Sequence, residues 1–475
     1  MQPEEDIMAH HDSPRSQEAA PKGVPIVFGP LGGFAPDKVF VHFLGGGKPG
    51  VKGRYYNKST GTMEDLIRDT PYSLAELTSP VSVGGGAPAN IPSVFITSYV
   101  SGRIYISLNA PLDGLGCCYQ PASANPNDPN YLIRYQYIEP TVDAGGMHVN
   151  MSYIDCAAIG LILTAVNAPH SKNSPLATLV NTTQLVTAAA NAATPPLANV
   201  VPSPKDILPS PKFARVLPPM AFHDATNPNP LYHDWTSYLK TTLQRQAIHI
   251  QGCFAGSQVG GIPQRERLTS QGYDYMATVD VNGNVTMTAQ KGSGKANPTC
   301  GGIKGDGIGD QSTVTITFAE LNATNGIYGC DPGYTWSYVD PHGKTQSDTT
   351  SSMTNDVFGW VVGDLLAGLN FGFPGSAVTF NGIPLGGLSS TRWWGGTMPD
   401  GTVIDPANTP AGKNLLFDKA QPAKPTNYNT YAASLQGKAT AYGFSLQDRL
   451  GQVLMEFDPA IDPNSYLMIE LNVDQ

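Results

Sequence analysis

Ser93-Val94-Phe95-Ile96-Thr97-Ser98-Tyr99 and Arg103-Ile104-Tyr105-Ile106-Ser107-Leu108, separated by Val100-Ser101-Gly102, decide the class of this fold. Both runs are rich in β-branched and aromatic residues and alternate in polarity, as a strand with one buried face does. The three intervening residues, ending in glycine, predict a hairpin. Upstream, Lys38-Val39-Phe40-Val41-His42-Phe43-Leu44 reads the same way, and downstream so do Tyr131 to Ile138 and Met147 to Ile154. From about Val24 to Val166 the chain is therefore expected to form a β-sandwich or barrel.

Farther along, the period changes. Thr354-Asn355-Asp356 offers an N-cap to a helix in which Val357, Val361, Leu365 and Leu369 recur every four residues. Asp234 is placed to cap a second helix carrying Trp235, Tyr238, Leu239 and Leu243, and the Ala-rich stretch Thr187 to Ala193, ended by Pro195-Pro196, predicts a third. Strands at Tyr273 to Val279, Val285 to Ala289 and Thr313 to Phe318 interleave with these. The tail returns to strands at Ala441 to Phe444 and Ser465 to Leu471, the last expected to cover an edge of the first sheet. The whole reads as mainly β with an α+β second domain: a disordered tail over 1-23, a β-sandwich/barrel domain over 24-170 plus 427-475, a mixed α+β domain over 171-426, and a cleft between the two.

Composition narrows the function. Charged residues make up only 14% of the 475, and the net charge is −10, which argues against nucleic acid or an anionic membrane because both require clustered Lys and Arg. A neutral polymer such as a polysaccharide fits better. No apolar run reaches the length of a membrane span, and the acidic N-terminus does not read as a secretory signal. Cys117, Cys118, Cys156, Cys253, Cys300 and Cys330 leave up to three disulfides or free thiols open, without metal-like spacing, so no metal or cofactor is expected. Oligomeric state is left open.

Cleavage of a glycosidic bond needs one carboxylic acid to protonate the leaving oxygen and a second carboxylate to activate water or attack. Acids are scarce here, 38 in all, so those set in hydrophobic strands stand out. Glu139 ends Tyr135-Gln136-Tyr137-Ile138, and Asp155 ends Val149-Asn150-Met151-Ser152-Tyr153-Ile154. Geometry resists pairing them. With a tight turn at Ala144-Gly145, Glu139 faces Asn150 and Asp155 lies about 16 Å farther on, on the opposite face. Convergence then calls for a wider loop or a bulge between Pro140 and Gly146.

Ser101-Gly102-Arg103-Ile104-Tyr105-Ile106-Ser107, Pro121-Ala122, Asn125 to Asn130 and the run from Glu139 to Asp155 together resemble glycoside hydrolase family 64, the laminaripentaose-producing β-1,3-glucanases with a thaumatin-like fold. Ile327 to Cys330, Leu365 to Asn370 and Thr440 to Phe444, followed by Asp448 and Gly451, are similar to later landmarks of that family. The resemblance implies Glu139 as general acid and Asp155, sixteen residues later, as general base of an inverting hydrolysis that releases short oligosaccharides. It implies that Thr141 and Asp143 hold sugar hydroxyls, with His148, Tyr442 and Asp448 lining the cleft. Asp143 stands where the family carries Asn, His148 where it carries a sugar-stacking Trp, and Gln447 where it carries a second acid. These departures keep a non-catalytic glucan-binding or structural protein in view. The implied partner is β-1,3-glucan or a related neutral polysaccharide, and the implied setting is extracellular, with a cytoplasmic one as the alternative.

Other candidates carry less. The loop Leu44 to Gly50 lacks the Walker spacing, and Gly305 to Asp310 lacks the EF-hand glutamate. Trp393-Trp394 suits either sugar stacking or anchoring of a loop in the core, the second being the favoured reading.

Overall fold

A computed structural model describes residues 24–45, 54–57, 62–65, 70–81, 89–100, 102–113, 120–143, 146–202, 213–222, 231–254, 271–290, 312–340, 342–354, 356–376, 379–380, 383–393, 396–397, 403–404, 427–450 and 453–474. The 1-23 tail, Gly46 to Gly50, Cys117, Cys118, Cys300, Gly305 to Asp310 and Trp394 lie outside them.

Two sheets share one apolar core. The first runs, in spatial order, Leu176–Ala177, Leu161–Val166, Tyr466–Leu471, Val24–Phe28, Ala89–Ser98, Arg54–Asn57 and Thr62–Asp65, with Thr78–Val81 also on Ala89–Ser98. The second runs Leu454–Phe457, Gly146–Ser152, Tyr135–Asp143, Arg103–Leu108, Val39–Leu44 and Tyr72–Ser73. Ile26, Phe28 and Ile96 of the first pack in one cluster with Val41, Ile106 and Ile138 of the second. Among the described residues neither sheet closes into a barrel, so the arrangement is a sandwich.

Two sequence expectations change here. The runs around Val100-Ser101-Gly102 are not a hairpin: Ala89–Ser98 belongs to the first sheet and Arg103–Leu108 to the second. Tyr99 pins this crossing. Its hydroxyl donates to the carbonyls of Leu44 and Arg103, its backbone exchanges hydrogen bonds with Val142, and a Cβ on Gly102 would lie 2.1 Å from its ring. The C-terminal strand Tyr466–Leu471 completes the first sheet, but from inside, parallel to Val24–Phe28 and antiparallel to Leu161–Val166, so it covers no edge.

A third, antiparallel six-stranded meander runs from Ile248–Phe254 to Thr345–Thr350. Packed with it is the helix Val357–Phe371, capped by Asp356, whose carboxylate accepts from the Phe358 and Gly359 amides. Every residue of this helix except Trp360 is buried. Gly368 explains Trp393: the indole lies so close that a Cβ there would sit 2.5 Å from it, and Trp393 stacks on Phe373 at 5.7 Å. Trp393 is thus a core anchor. Asp234 does cap a helical stretch, though it passes through a π turn at Tyr238–Thr242. The Ala-rich helix is Thr182–Ala190, earlier than expected, because Asn181 and Gln184 form a capping box.

Candidate active site

The strand pairing that positions Glu139 is the tight one. Register runs from Asp143↔Gly146 to Glu139↔Asn150, two residues separating the strands, so the wide loop or bulge expected there does not occur. Glu139, Thr141 and Asp143 share one face with Asn150 and His148, while Ile138, Val142, Met147 and Val149 turn into the core. One step beyond Ile104↔Ile138 on the other side, the register sets Arg103 beside Glu139.

Asp155 reaches this row through a bend after Gly146–Ser152. Three contacts fix the bend. The Tyr153 amide donates to the Tyr442 carbonyl at 2.8 Å, the Ala157 amide to the Val216 carbonyl at 3.0 Å, and the Ser123 hydroxyl to the carbonyl of Asp155 itself at 3.1 Å. Buried Gln136 staples it from beneath, donating to the Ser152 and Cys156 carbonyls and accepting from the Ala158 amide. The strand predicted at Ala441 to Phe444 is a turn whose Tyr442 makes a single parallel bridge to Ser152.

Arg103 brings the two acids together. Its Nε donates to Glu139 Oε1 at 3.0 Å and its Nη1 to Asp155 Oδ2 at 2.8 Å, with a further bond to Gln120 Oε1 at 2.9 Å. The guanidinium lies 4.5 Å over the Tyr137 ring. Two hydrogen bonds and the width of one guanidinium cap the separation of the bonded carboxyl oxygens at about 8 Å. Both carboxylates are 28% exposed and open on one cavity of about 450 Å³. Arg103, Glu139, Asn150, Ile154, Asp155, Met220, Tyr442 and Ser445 line it. Burial pushes the Glu139 carboxyl above its ordinary value, and nearby Asp155 pushes the same way, while Arg103 opposes both.

The remaining expected residues are placed at varying distance from this centre. Tyr442 lines the cavity, and its hydroxyl hydrogen-bonds the Asp448 carboxylate. Asp448 itself is exposed. Thr141, Asp143 and His148 extend the Glu139 face beyond the cavity; His148 pairs with Glu456 at 3.5 Å, and Glu456 also binds Lys172 at 2.7 Å. Sequence reasoning missed Arg103, Gln136 and Met220 as site residues. A lone cation opening an apolar strand in a charge-poor chain was the available signal for Arg103. Among the described residues no group of three His, Cys, Asp or Glu side chains is placed to hold a metal, no helix is long and apolar enough to cross a membrane, and Cys156 and Cys330 are buried free thiols.

Residues 33–256, just under half of the chain, match the family model described as Beta-1,3-glucanase, glycoside hydrolase family 64. This segment belongs to that family. Its members are described as β-1,3-glucanases. Among solved structures, it is similar to a laminaripentaose-producing β-1,3-glucanase in complex with laminaritetraose, at 16% identity over 95% of this chain and 99% of that one, with a TM-score of 0.49. A family 64 β-1,3-glucanase domain from Clostridium beijerinckii is similar at 14% identity over 95% and 98%, TM-score 0.49. A laminaripentaose-producing enzyme from Paenibacillus barengoltzii complexed with laminarihexaose is similar at 19% identity over 44% and 53%, TM-score 0.27. No curated protein matches the chain.

Proposed function

We propose that this protein is a glycoside hydrolase that cleaves internal β-1,3-glucan linkages with inversion and releases short oligosaccharides. Glu139 delivers its proton to the glycosidic oxygen as the bond to the anomeric carbon breaks, and Asp155 takes a proton from the water that attacks the opposite face of the sugar. The supporting observation is the meeting of both carboxylates on Arg103 in one cavity. A ceiling of about 8 Å on the bonded oxygens admits the spacing of about 6.5 to 9.5 Å that leaves room for the water and also the roughly 5 Å of a covalent route, so the anomer of the first product decides between them. Burial suits Glu139 to the acid's part, because a raised carboxyl stays protonated to higher pH. Thr141 and Asp143, farther along the same face, hold sugar hydroxyls, and His148 continues the cleft. An extracellular setting belongs to the same proposal, since a glucan polymer does not cross membranes.

Glu139→Gln is expected to lower release of reducing sugar from laminarin at least about 100-fold while circular dichroism stays unchanged. Retained turnover removes Glu139 from the mechanism. Proton NMR of the first product formed is expected to show the α anomer; a β anomer contradicts inversion. Binding to insoluble glucan without any reducing-sugar release by the native protein would favour the non-catalytic reading instead.

A further inference from the structure

Arg103 has more contacts than a surface cation needs. The crossing between the sheets fixes its backbone, since the Tyr99 hydroxyl donates to the Arg103 carbonyl at 2.8 Å. Tyr137 supports the guanidinium from below, and Tyr105, whose ring centroid is 5.2 Å from that of Tyr137, offers its hydroxyl at 3.4 Å. Its side chain is 23% exposed, so it faces the cavity without being free to sweep through it. The two carboxylates are engaged through different nitrogens, Nε for Glu139 and Nη1 for Asp155. A planar guanidinium presents those donors in a rigid fork, so the distance between the acids is set by the geometry of one side chain.

We propose that Arg103 is a positioning residue of the reaction, a spacer that holds the acid and the base apart at the separation water attack requires and supplies a positive charge between them. The inference rests on the reading of Glu139 and Asp155 as acid and base. It also explains how Asp155 serves a row that it joins only through a bend: the bend brings the residue near, and the fork fixes its carboxylate. Among the described residues, the ionisable groups facing Glu139 are Arg103 from the neighbouring strand, Asp155 from the bend, Tyr137 on its own strand and Tyr442 from the opposing turn. Only Arg103 among them is a cation. Its removal leaves only the Asn150 hydrogen bond to oppose burial and Asp155, so the Glu139 carboxyl moves further up.

The test compares Arg103→Met and Arg103→Lys with the native enzyme on laminarin, measuring kcat and KM across pH. Arg103→Met is expected to lower kcat about 100-fold with a smaller change in KM, the scale on which displaced catalytic groups act. Its alkaline limb in kcat/KM is expected about one pH unit higher. Arg103→Lys, which keeps the charge and loses the fork, is expected to hold that limb near its native pH while recovering only part of kcat. Native kcat in Arg103→Met overturns the proposal, and so does a fall in kcat with the limb unmoved, which a merely structural loss would give. If Arg103→Met does not fold by circular dichroism, the Lys variant decides, since native kcat there denies the spacer. Glu139→Gln and Asp155→Asn are run alongside: turnover in either one refutes the acid and base assignment itself, whatever Arg103 does.

Discussion

Two arginines lie on the same face of the second sheet, each with its guanidinium over a tyrosine of the strand Tyr135–Asp143. Arg103 sits 4.5 Å over Tyr137, and Arg215, from Phe213–Val216, sits 4.3 Å over Tyr135. Arg215 is wholly buried and spends its donors on backbone carbonyls, those of Ser123, Asn130, Tyr131 and Ile133, at 2.6 to 2.9 Å. The hairpin formed by Val200–Pro202 and Phe213–Val216 closes this end of the face, packing Val201, Ala214 and Leu217 on Tyr105, Tyr135 and Tyr137. Arg103, a short way along the same tyrosine row, meets two carboxylates and an open cavity. Neutral carbonyls satisfy a cation's hydrogen bonds without offering a proton to move. Carboxylates do both. The same Arg-over-Tyr arrangement therefore serves as a tie at the closed end and, at the open end, joins the two acids proposed for the reaction.

The sharpest way to break this contrast is to exchange the consequences. Arg215→Met removes a shared partner from four carbonyls, of which the half-buried Ser123, Tyr131 and Ile133 carbonyls lose this donor and the Asn130 carbonyl keeps the Ile133 amide, and the loss is expected to destabilise the fold by about 2 to 4 kcal/mol. Chemical denaturation measures it, and at temperatures where the variant is folded its turnover is expected to stay near native. A variant of native stability, or one that is stable but inactive, would mean that Arg215 is no mere tie.

Gln136 joins the two ends, and its replacement is expected to have an intermediate effect. Gln136→Leu fits the space but leaves the Ser152 and Cys156 carbonyls and the Ala158 amide without this partner, at a cost of about 2 to 3 kcal/mol. Because those three groups flank Asp155, the loss is expected to show in kcat as well as in stability. A purely thermodynamic defect, with kcat unchanged in the folded fraction, would separate the bend from the chemistry.

How much of this was legible in the sequence follows from what each signal depends on. Strands and helices read from local periodicity were found where they occur: Val39–Leu44, Arg103–Leu108, Val285–Ala289 and Val357–Phe371 lie within a residue or two of their expected positions. Pairing was less legible. Whether two successive strands form a hairpin or change sheets at Gly102 depends on Tyr99 finding the Leu44 carbonyl, a contact spanning 55 positions. The convergence of Glu139 and Asp155 was hidden for the same reason. A strand's alternation predicts opposite faces, and the bend that defeats it is held by Gln136, Tyr442 and Val216, none adjacent in sequence. Resemblance supplied the two acids, and only the folded chain supplied the arginine between them.

The smallest expected effect comes from the far wall of the cavity. Tyr442 is held by its backbone, through the Tyr153 amide to its carbonyl and its own amide to the Met151 carbonyl, so Tyr442→Phe should leave the turn in place. What it removes is the hydroxyl bonded to Asp448, the one polar group that the Tyr442 side chain itself brings to the cavity wall. One such hydrogen bond contributes about 1 kcal/mol, so kcat/KM on laminarin is expected to fall roughly fivefold, mainly through KM. If the loss falls on kcat instead, Tyr442 acts on the reacting centre with Arg103; if neither parameter moves, the hydroxyl contributes nothing to the cleft. A rise in KM alone keeps the reactive chemistry on the sheet face, where one arginine separates the two acids, and leaves to the opposing turn only the holding of sugar.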